Sequence, residues 1–184
     1  MTASVAHVRI DRLGADEWET LRDVRLAALG DSPGAFWAQL DDEAGFGREE
    51  WTSFLGAGAW FVARDDAGAV GLAAGLPSPD GPEAELIAMW VAPQARGRGI
   101  GTMLTRAVLD WAIASHAPAL NLWVADGNDT ARTLYQHFDF VLTGEWAPMP
   151  HDAAAGEQRM RRLLSPTNER GRPGEISPDG PTRR

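Results

Sequence analysis

The chain has 184 residues, of which 44% are hydrophobic, and carries a net charge of −9. This length and composition suit one globular domain, and the negative charge argues against binding to nucleic acid. With no cysteine, the chain cannot form a disulfide framework, a thiolate metal site or a cysteine nucleophile. No apolar run approaches the roughly 18 residues of a membrane span, and the first residues lack an export signal. We therefore expect a cytoplasmic protein that does not bind membranes.

The first half of the chain shows short helical and strand patterns separated by turn residues. In chain order they predict a strand over 5–10, a helix capped by Asp16, a short helical or irregular piece over 35–37, a solvated acidic loop over 41–43, a helical turn or two over 49–55, and a hairpin made of 60–64 and 70–76.

The second half alternates strands and helices around a glycine-rich segment. It predicts a strand over 83–91, a helix from Ile100, a strand over 120–125, a helix over 130–138, and strands over 140–143 and 158–164. From residue 165 the composition turns to proline, glycine and charged residues, which is typical of disorder. We expect one domain over 1–164 and a disordered tail over 165–184.

The segment Gln94-Ala-Arg-Gly-Arg-Gly-Ile-Gly101 lies between a predicted strand and a predicted helix. Its three alternate glycines allow a sharp turn with accessible amide groups, and the helix that follows directs its positive end to the same point. This arrangement is typical of a site for an anion such as a pyrophosphate.

Two common phosphate-binding loops do not match this segment. A P-loop needs a lysine at the helix start, but all 17 basic residues of the chain are arginine. A dinucleotide-binding fingerprint needs a third glycine at position 102, where the chain has Thr102. The pattern that remains is Q/R-x-x-G-x-G/A.

With this pattern the chain resembles the GCN5-related N-acetyltransferase (GNAT) family. A second segment, from Asn128 to Phe140, supports the resemblance because Tyr135, the single tyrosine of the chain, follows the asparagine by seven residues as in the family's later motif. The resemblance extends from about residue 6 to 164. It implies an α/β (α+β) fold with a mixed, mostly antiparallel sheet, helices on both faces, and a strand that splays from its neighbour to admit the cofactor.

The resemblance also implies acetyl-CoA as co-substrate, with no metal. The loop would hold the pyrophosphate, the strand backbone before it would pair with the pantetheine amides, and Asn128 would bond the cofactor or cap its helix. The cofactor-binding residues expected on this basis are Met89, Trp90, Val91, Arg96, Gly97, Arg98, Gly99, Ile100, Gly101 and Asn128. The four histidines lack the spacing of metal ligands.

Two catalytic roles follow from the same resemblance. Tyr135 is the candidate general acid that protonates the departing sulfur, and Glu85 is the candidate base, with Glu83 as its rival on the same strand face. Trp123 occupies a position where ribosomal-type relatives often carry a glutamate. We expect it and two further tryptophans, Trp37 and Trp90, to pack in the core rather than to form the wall of an acceptor pocket.

The function that this resemblance implies is direct transfer of an acetyl group from acetyl-CoA to a primary amine of a small molecule or a protein. A non-catalytic CoA-binding sensor is the alternative, and a nucleotide-binding enzyme is a third. Homodimers are common among relatives, so a homodimer is one of the expected states.

Overall fold

The computed structural model describes residues 7–164, so the expected start of the first strand at Val5 and the predicted tail over 165–184 lie outside the described range. Five helices and seven strands are described. The helices are α1 (Trp18–Asp31), α2 (Leu40–Ala44), α3 (Arg48–Ala57), α4 (Ile100–Ala114) and α5 (Asp129–Gln136). The strands are β1 (Arg9–Arg12), β2 (Ala59–Asp65), β3 (Gly68–Pro77), β4 (Ala84–Val91), β5 (Ala119–Ala125), β6 (Val141–Met149) and β7 (Asp152–Leu163).

The strands form one sheet in the order β1-β2-β3-β4-β5-β7-β6. The β4–β5 pair is parallel, and every other neighbouring pair is antiparallel. Three antiparallel pairs, β2–β3, β3–β4 and β6–β7, join strands that follow each other in the chain with no helix between them. By contrast, β4 reaches β5 through the crossover helix α4, as a parallel pair requires. This architecture confirms the expected mixed, mostly antiparallel sheet.

Helices cover both faces of the central strands. Residues 70–75 of β3 are all buried, a continuous pattern that arises when both faces of a strand are covered. On one face α4 lies so close that a Cβ at Gly75 would stand 2.3 Å from the Trp111 ring, so this contact requires glycine. Helix α1 packs on β3 and β4.

Two local expectations were wrong. Asp16 does not cap α1, because Glu17 occupies the N-cap position and its carboxylate accepts the Gly14 amide at 2.8 Å instead. The acidic segment 41–43 is not a solvated loop: it forms most of α2, and Glu43 is buried because it makes a two-pronged ion pair with Arg25, at 2.8 and 2.9 Å. The last two strands are also longer than their patterns predicted.

Candidate active site

The glycine loop joins β4 to α4 through two left-handed residues. Gly97 has φ +75° and Gly99 has φ +77°. No heavy atom lies within 4 Å of the point where a Cβ would stand at either residue, so the backbone conformation, not crowding, requires glycine. Because α4 begins at Ile100, the amides of its first turn have no intrahelical acceptor and lie at the positive end of the helix. These groups suit an anionic ligand.

A cleft of about 530 Å³ lies against this loop, between β4, α5 and the segment after α1. Its lining includes all but one of the residues expected to hold the cofactor: Met89, Trp90, Val91, Arg96, Gly97, Gly99, Ile100, Gly101 and Asn128. The exception is Arg98, whose guanidinium donates to Asp65 at 2.7 Å, outside the cleft lining.

The cleft follows a gap between two strands. β4 pairs with β5 only at Ala84↔Leu120 and Glu85↔Asn121, after which the two strands separate. Ala88 lies at a bulge in β4 and has φ +56°, a left-handed conformation that is unusual for a residue with a side chain. The β4 edge that faces the gap is therefore open to an added strand-like partner.

Arg96 connects the glycine loop to the end of α1. Its Nη2 lies 2.5 Å from Oδ2 of Asp31, and its Nε donates to the Val91 carbonyl at 3.0 Å. The Trp90 indole N–H donates to the same Asp31 oxygen at 2.9 Å. The hydrogen bonds from Trp90 and Ser32, together with Arg96, hold the pKa of Asp31 below its usual range. This network fixes the arginine at the cleft.

Asn128 and Tyr135 both belong to the second motif but occupy different environments. Asn128 lines the cleft and caps α5, its Oδ1 accepting the Ala131 amide at 3.1 Å. The Tyr135 ring is buried against Phe140, with 5.9 Å between the centroids. Burial raises the pKa of the Tyr135 hydroxyl. Its α5 neighbour Leu134 lines the cleft, whereas Tyr135 is not part of the lining.

A second cavity, of about 320 Å³, adjoins the cleft. Ala35 and Phe36 line both spaces, so the two meet at the segment after α1. Trp37 and Trp123 line the second cavity, and Trp37 is 57% exposed, so the expectation that both pack in the core was wrong. Trp37 lies in the segment between α1 and α2, and Trp123 is half-buried on β5, with the Arg159 guanidinium 6.0 Å from the centre of its ring. Trp90, by contrast, is buried as expected.

The structure separates the two rival glutamates. Glu83 is held by Asn121, whose Nδ2 donates to it at 2.7 Å, and by an ion pair with Arg161 of β7. Glu85 lines the second cavity, and its bonding partner there is the Ser78 hydroxyl at 3.4 Å. Of the two carboxylates, Glu85 is thus the one that makes no ion pair within the described residues and is accessible to a ligand in the second cavity.

Glu157 is a cavity residue that the sequence did not reveal. It lies on β7 opposite Ala125 of β5, is 5% exposed, and lines the second cavity beside Glu85. One carboxylate oxygen accepts the Trp37 indole N–H at 2.8 Å. Burial raises the pKa of Glu157, and this hydrogen bond partly opposes the rise.

Comparison with known proteins identifies the family. The model of the acetyltransferase (GNAT) family matches residues 18–140, which include the glycine loop and the second motif. The chain belongs to the GNAT family. A mycothiol acetyltransferase of Beutenbergia cavernae is 37% identical over 94 residues, which are 51% of this chain and 32% of that protein. The chain thus matches about a third of the length of this curated relative.

Solved GNAT structures share the fold. An acetyltransferase from Salmonella typhimurium, determined with its cofactor acetyl-CoA, superposes with a TM-score of 0.72 at 14% identity, covering 95% of this chain and 99% of that one. A GNAT protein from Kribbella flavida gives a TM-score of 0.67 at 23% identity, covering 85% and 98%. A ribosomal-protein-alanine N-acetyltransferase from Brucella melitensis gives 0.68 at 20% identity, covering 85% and 99%.

Acetyl-CoA is the co-substrate of the GNAT family, and the cleft fits it. The unpaired amides at the start of α4 and the Arg96 guanidinium suit the pyrophosphate, and the open edge of β4 suits the amides of the pantetheine arm. Within residues 7–164 no group of histidine, aspartate and glutamate side chains is arranged to hold a metal ion. None of the described helices is long and apolar enough to cross a bilayer.

Proposed function

We propose that this GNAT protein is an N-acetyltransferase that transfers the acetyl group of acetyl-CoA directly to a primary amine. The observation that carries the proposal is the junction of two unlike cavities at Ala35 and Phe36. One is built from a glycine loop and a helix start, which favour an anion. The other contains two carboxylates, Glu85 and Glu157, which favour a cation such as an ammonium group.

From an ammonium acceptor, transfer makes one C–N bond, breaks one C–S bond and removes two protons from the nitrogen, one before attack and one as the amide forms. One of these replaces the proton that the departing sulfur takes up, and the other goes to solvent. The donor supplies an activated thioester. The attacking nitrogen must lose a proton, for which Glu85 is the proposed acceptor, directly or through water, because it lines the acidic cavity and is not neutralised by an ion pair. The departing sulfur must gain a proton, for which the Tyr135 phenol is the proposed donor.

Burial of Tyr135 suits this role in one respect. Because its pKa is raised, the hydroxyl stays protonated throughout the pH range in which enzymes usually work. Because Tyr135 is not part of the cleft lining, proton transfer to the sulfur requires the hydroxyl to gain access to the cleft. The backbone of Met89 to Val91, next to the bulge at Ala88, is the proposed holder of the acyl donor's amides and carbonyl.

The decisive experiment measures release of free thiol from acetyl-CoA with a panel of amines. The panel contains aromatic and aliphatic primary amines, aminosugars, peptides with free amino termini, and the acceptor of the mycothiol acetyltransferase. Thiol release that depends on an amine, with the acetylated amine identified by mass spectrometry, is the expected result. The chain has no cysteine and adds no background to this assay.

A CoA-binding module without transfer activity is the second candidate. The observation that favours it is that Tyr135 is buried and is not part of the cleft lining. Tight binding of acetyl-CoA in a calorimeter, with no thiol release across the whole panel, would support this candidate against the enzyme.

A further inference from the structure

The second cavity has a chemical character that the proposed function leaves unexplained. Its walls are largely aromatic and aliphatic, from Phe36, Trp37, Ile87, Leu122 and Trp123. Its charges are confined to a few side chains on α1, β4 and β7. A ligand that fills it must combine an apolar body with a group that satisfies those charges.

The charge of the cavity is negative once its ion pairs are counted. Arg25, from α1, is neutralised by its two-pronged pair with Glu43, and its guanidinium also lies 5.1 Å from the centre of the Phe36 ring. Glu85 and Glu157 have no cationic partner among residues 7–164. An ammonium group is therefore the complementary charge.

Glu157 is prepared to receive such a group. It is 5% exposed, and one of its oxygens accepts the Trp37 indole N–H. The other oxygen makes no hydrogen bond to a side chain or amide in the described range and is not among the fully buried polar atoms, so it is left to the solvent of the cavity. A largely buried carboxylate that has only one protein donor gains from a charged donor that a ligand supplies. The raised pKa of Glu157 agrees with this incomplete solvation.

Trp37 is an easily displaced partner for this carboxylate. Its side chain is 57% exposed, and it lies in the segment between α1 and α2 that separates the two cavities. Moving the indole away from Glu157 therefore exposes little additional apolar surface to water. An ammonium donor would replace a neutral one, so attraction between opposite charges would add to the hydrogen bond.

We propose that Glu157 and Trp37 select the acceptor: the ammonium group of a primary amine displaces the indole N–H from Glu157, and an aromatic or branched apolar group next to that amine packs on Trp37 and Trp123. This assignment rests on the proposed N-acetyltransferase function and specifies its substrate class. Glu157 acts as a positioning residue that holds the amine, whereas Glu85 remains the proposed proton acceptor. Amines whose chains carry many charges are poor ligands of these apolar walls.

The test uses equilibrium binding, so that it does not depend on turnover. The probe is 2-phenylethylamine, titrated calorimetrically into the protein saturated with CoA, and 2-phenylethanol is the uncharged comparison. The wild type is expected to bind the amine at least about 10-fold more tightly than the alcohol. Equal affinity for the two, or no binding of the amine, overturns the proposal.

Three substitutions should change the affinities for the amine and the alcohol in three different ways. Glu157→Gln keeps the shape and removes the charge, so it should weaken binding of the amine by about 10- to 100-fold and leave the alcohol unaffected. Trp37→Phe keeps an aromatic wall and removes the competing N–H, so it should tighten amine binding by about 2- to 10-fold. Trp37→Ala removes the wall and should weaken binding of both probes.

Trp146 provides a matched control on β6. It is 55% exposed and also donates its indole N–H to a carboxylate, that of Asp126, at 2.8 Å. Trp146→Phe should leave amine binding unchanged. If Trp37→Phe weakens amine binding instead, the hydrogen bond to Glu157 is merely structural and the proposal fails, even if Glu157→Gln does not fold.

The assay also separates this proposal from the proposed function. Binding of the amine that depends on Glu157, without thiol release, keeps the cavity assignment and overturns the transferase. In an active enzyme, Glu157→Gln should raise the KM for 2-phenylethylamine by about 10- to 100-fold with a much smaller change in kcat. A fall in kcat with unchanged KM would contradict a positioning role.

Discussion

Asp31, the last residue of α1, holds Arg96 of the glycine loop through an ion pair with 2.5 Å between Nη2 and Oδ2. The same carboxylate oxygen accepts the indole N–H of Trp90 on β4. One carboxylate at the end of the helix therefore bonds to both the strand and the loop that border the larger cleft. The contact is mostly outside the core, so its contribution depends on ionisation more than on packing.

Asp31→Asn should lower thermal stability in a way that depends on pH. The pKa of folded Asp31 lies below its ordinary value, so the carboxylate stabilises the fold fully above the unfolded pKa of about 3.9, and this contribution is lost as the pH falls through the folded pKa. The melting temperature of the variant should be lower by up to about 4 °C at pH 6, and the difference should shrink below about pH 4.

Thermal unfolding of both proteins between pH 3 and 7 provides the measurement. Asp80→Asn, in the loop between β3 and β4, is the control and should show no such pH-dependent difference. A difference for Asp31→Asn that stays constant down to pH 3 would show that the ionised carboxylate is not the stabilising group.

The left-handed conformation of Gly99 should make it intolerant of any side chain. With φ at +77°, Gly99→Ala places a Cβ in a disfavoured conformation and should cost about 1–2 kcal/mol of unfolding free energy. Relief of this strain would turn the first amides of α4, so the affinity for acetyl-CoA should also fall. Gly81→Ala, at an open position without a positive φ, is the matched control.

Denaturant unfolding and calorimetric titration of acetyl-CoA test the two parts of this prediction. Retention of full acetyl-CoA affinity by Gly99→Ala would mean that the loop amides do not bind the pyrophosphate.

The conformation of the glycine loop and the positions of the helices beside it could be predicted because their determinants are local. A left-handed turn is encoded by glycines at Gly97 and Gly99 themselves, and α4 follows from the spacing of its apolar residues within one segment. Asn128 could likewise be placed at a helix start, since an N-cap depends on residues only three positions away. The lining of the cleft agrees with these local signals.

The second cavity could not be predicted because it depends on long-range pairing. Glu157 enters the cavity only through the register of β7 on β5, which sets it opposite Ala125, and no signal within the β7 sequence marks that register. The burial of Glu43 depends in the same way on Arg25, 18 residues earlier. The sequence favoured a core position for Trp37 because large, apolar side chains occur both in the core and in the lining of cavities.

Glu83 and Glu85 should respond differently to the same conservative change. Glu83→Gln weakens the pairs with Asn121 and Arg161, so it should cost about 1 kcal/mol of stability while leaving kcat near the wild-type value. Glu85→Gln should keep stability within about 0.5 kcal/mol and lower kcat by about 10²–10⁴-fold. The measurements are denaturant unfolding and pH–rate profiles of both variants.

The shape of the profile decides the role of Glu85. Loss of a base should reduce the rate across the whole pH range, whereas a deficit confined to low pH would point to an effect on binding or folding. If Glu83→Gln lowers kcat as much as Glu85→Gln does, the ion pair of Glu83 with Arg161 does not distinguish a structural Glu83 from a catalytic Glu85.

Tyr135→Phe should lower turnover by about 10²–10⁴-fold and leave the affinity for acetyl-CoA nearly unchanged, because the variant loses a proton donor and keeps the ring that packs on Phe140. The raised pKa adds a second expectation: the wild-type profile should show no alkaline loss of activity from Tyr135 below about pH 10. Stopped-flow or steady-state thiol release, with calorimetry for the cofactor, measures both.

Phe140→Leu separates the hydroxyl from the packing that surrounds it. This change loosens the same buried contact without removing a proton donor, so it should cost stability and leave most of the turnover. If Phe140→Leu lowers kcat as much as Tyr135→Phe does, the packing of α5 rather than the hydroxyl controls the rate. If Tyr135→Phe keeps full turnover, the proton of the departing sulfur comes from water or another group, and the burial of Tyr135 is structural.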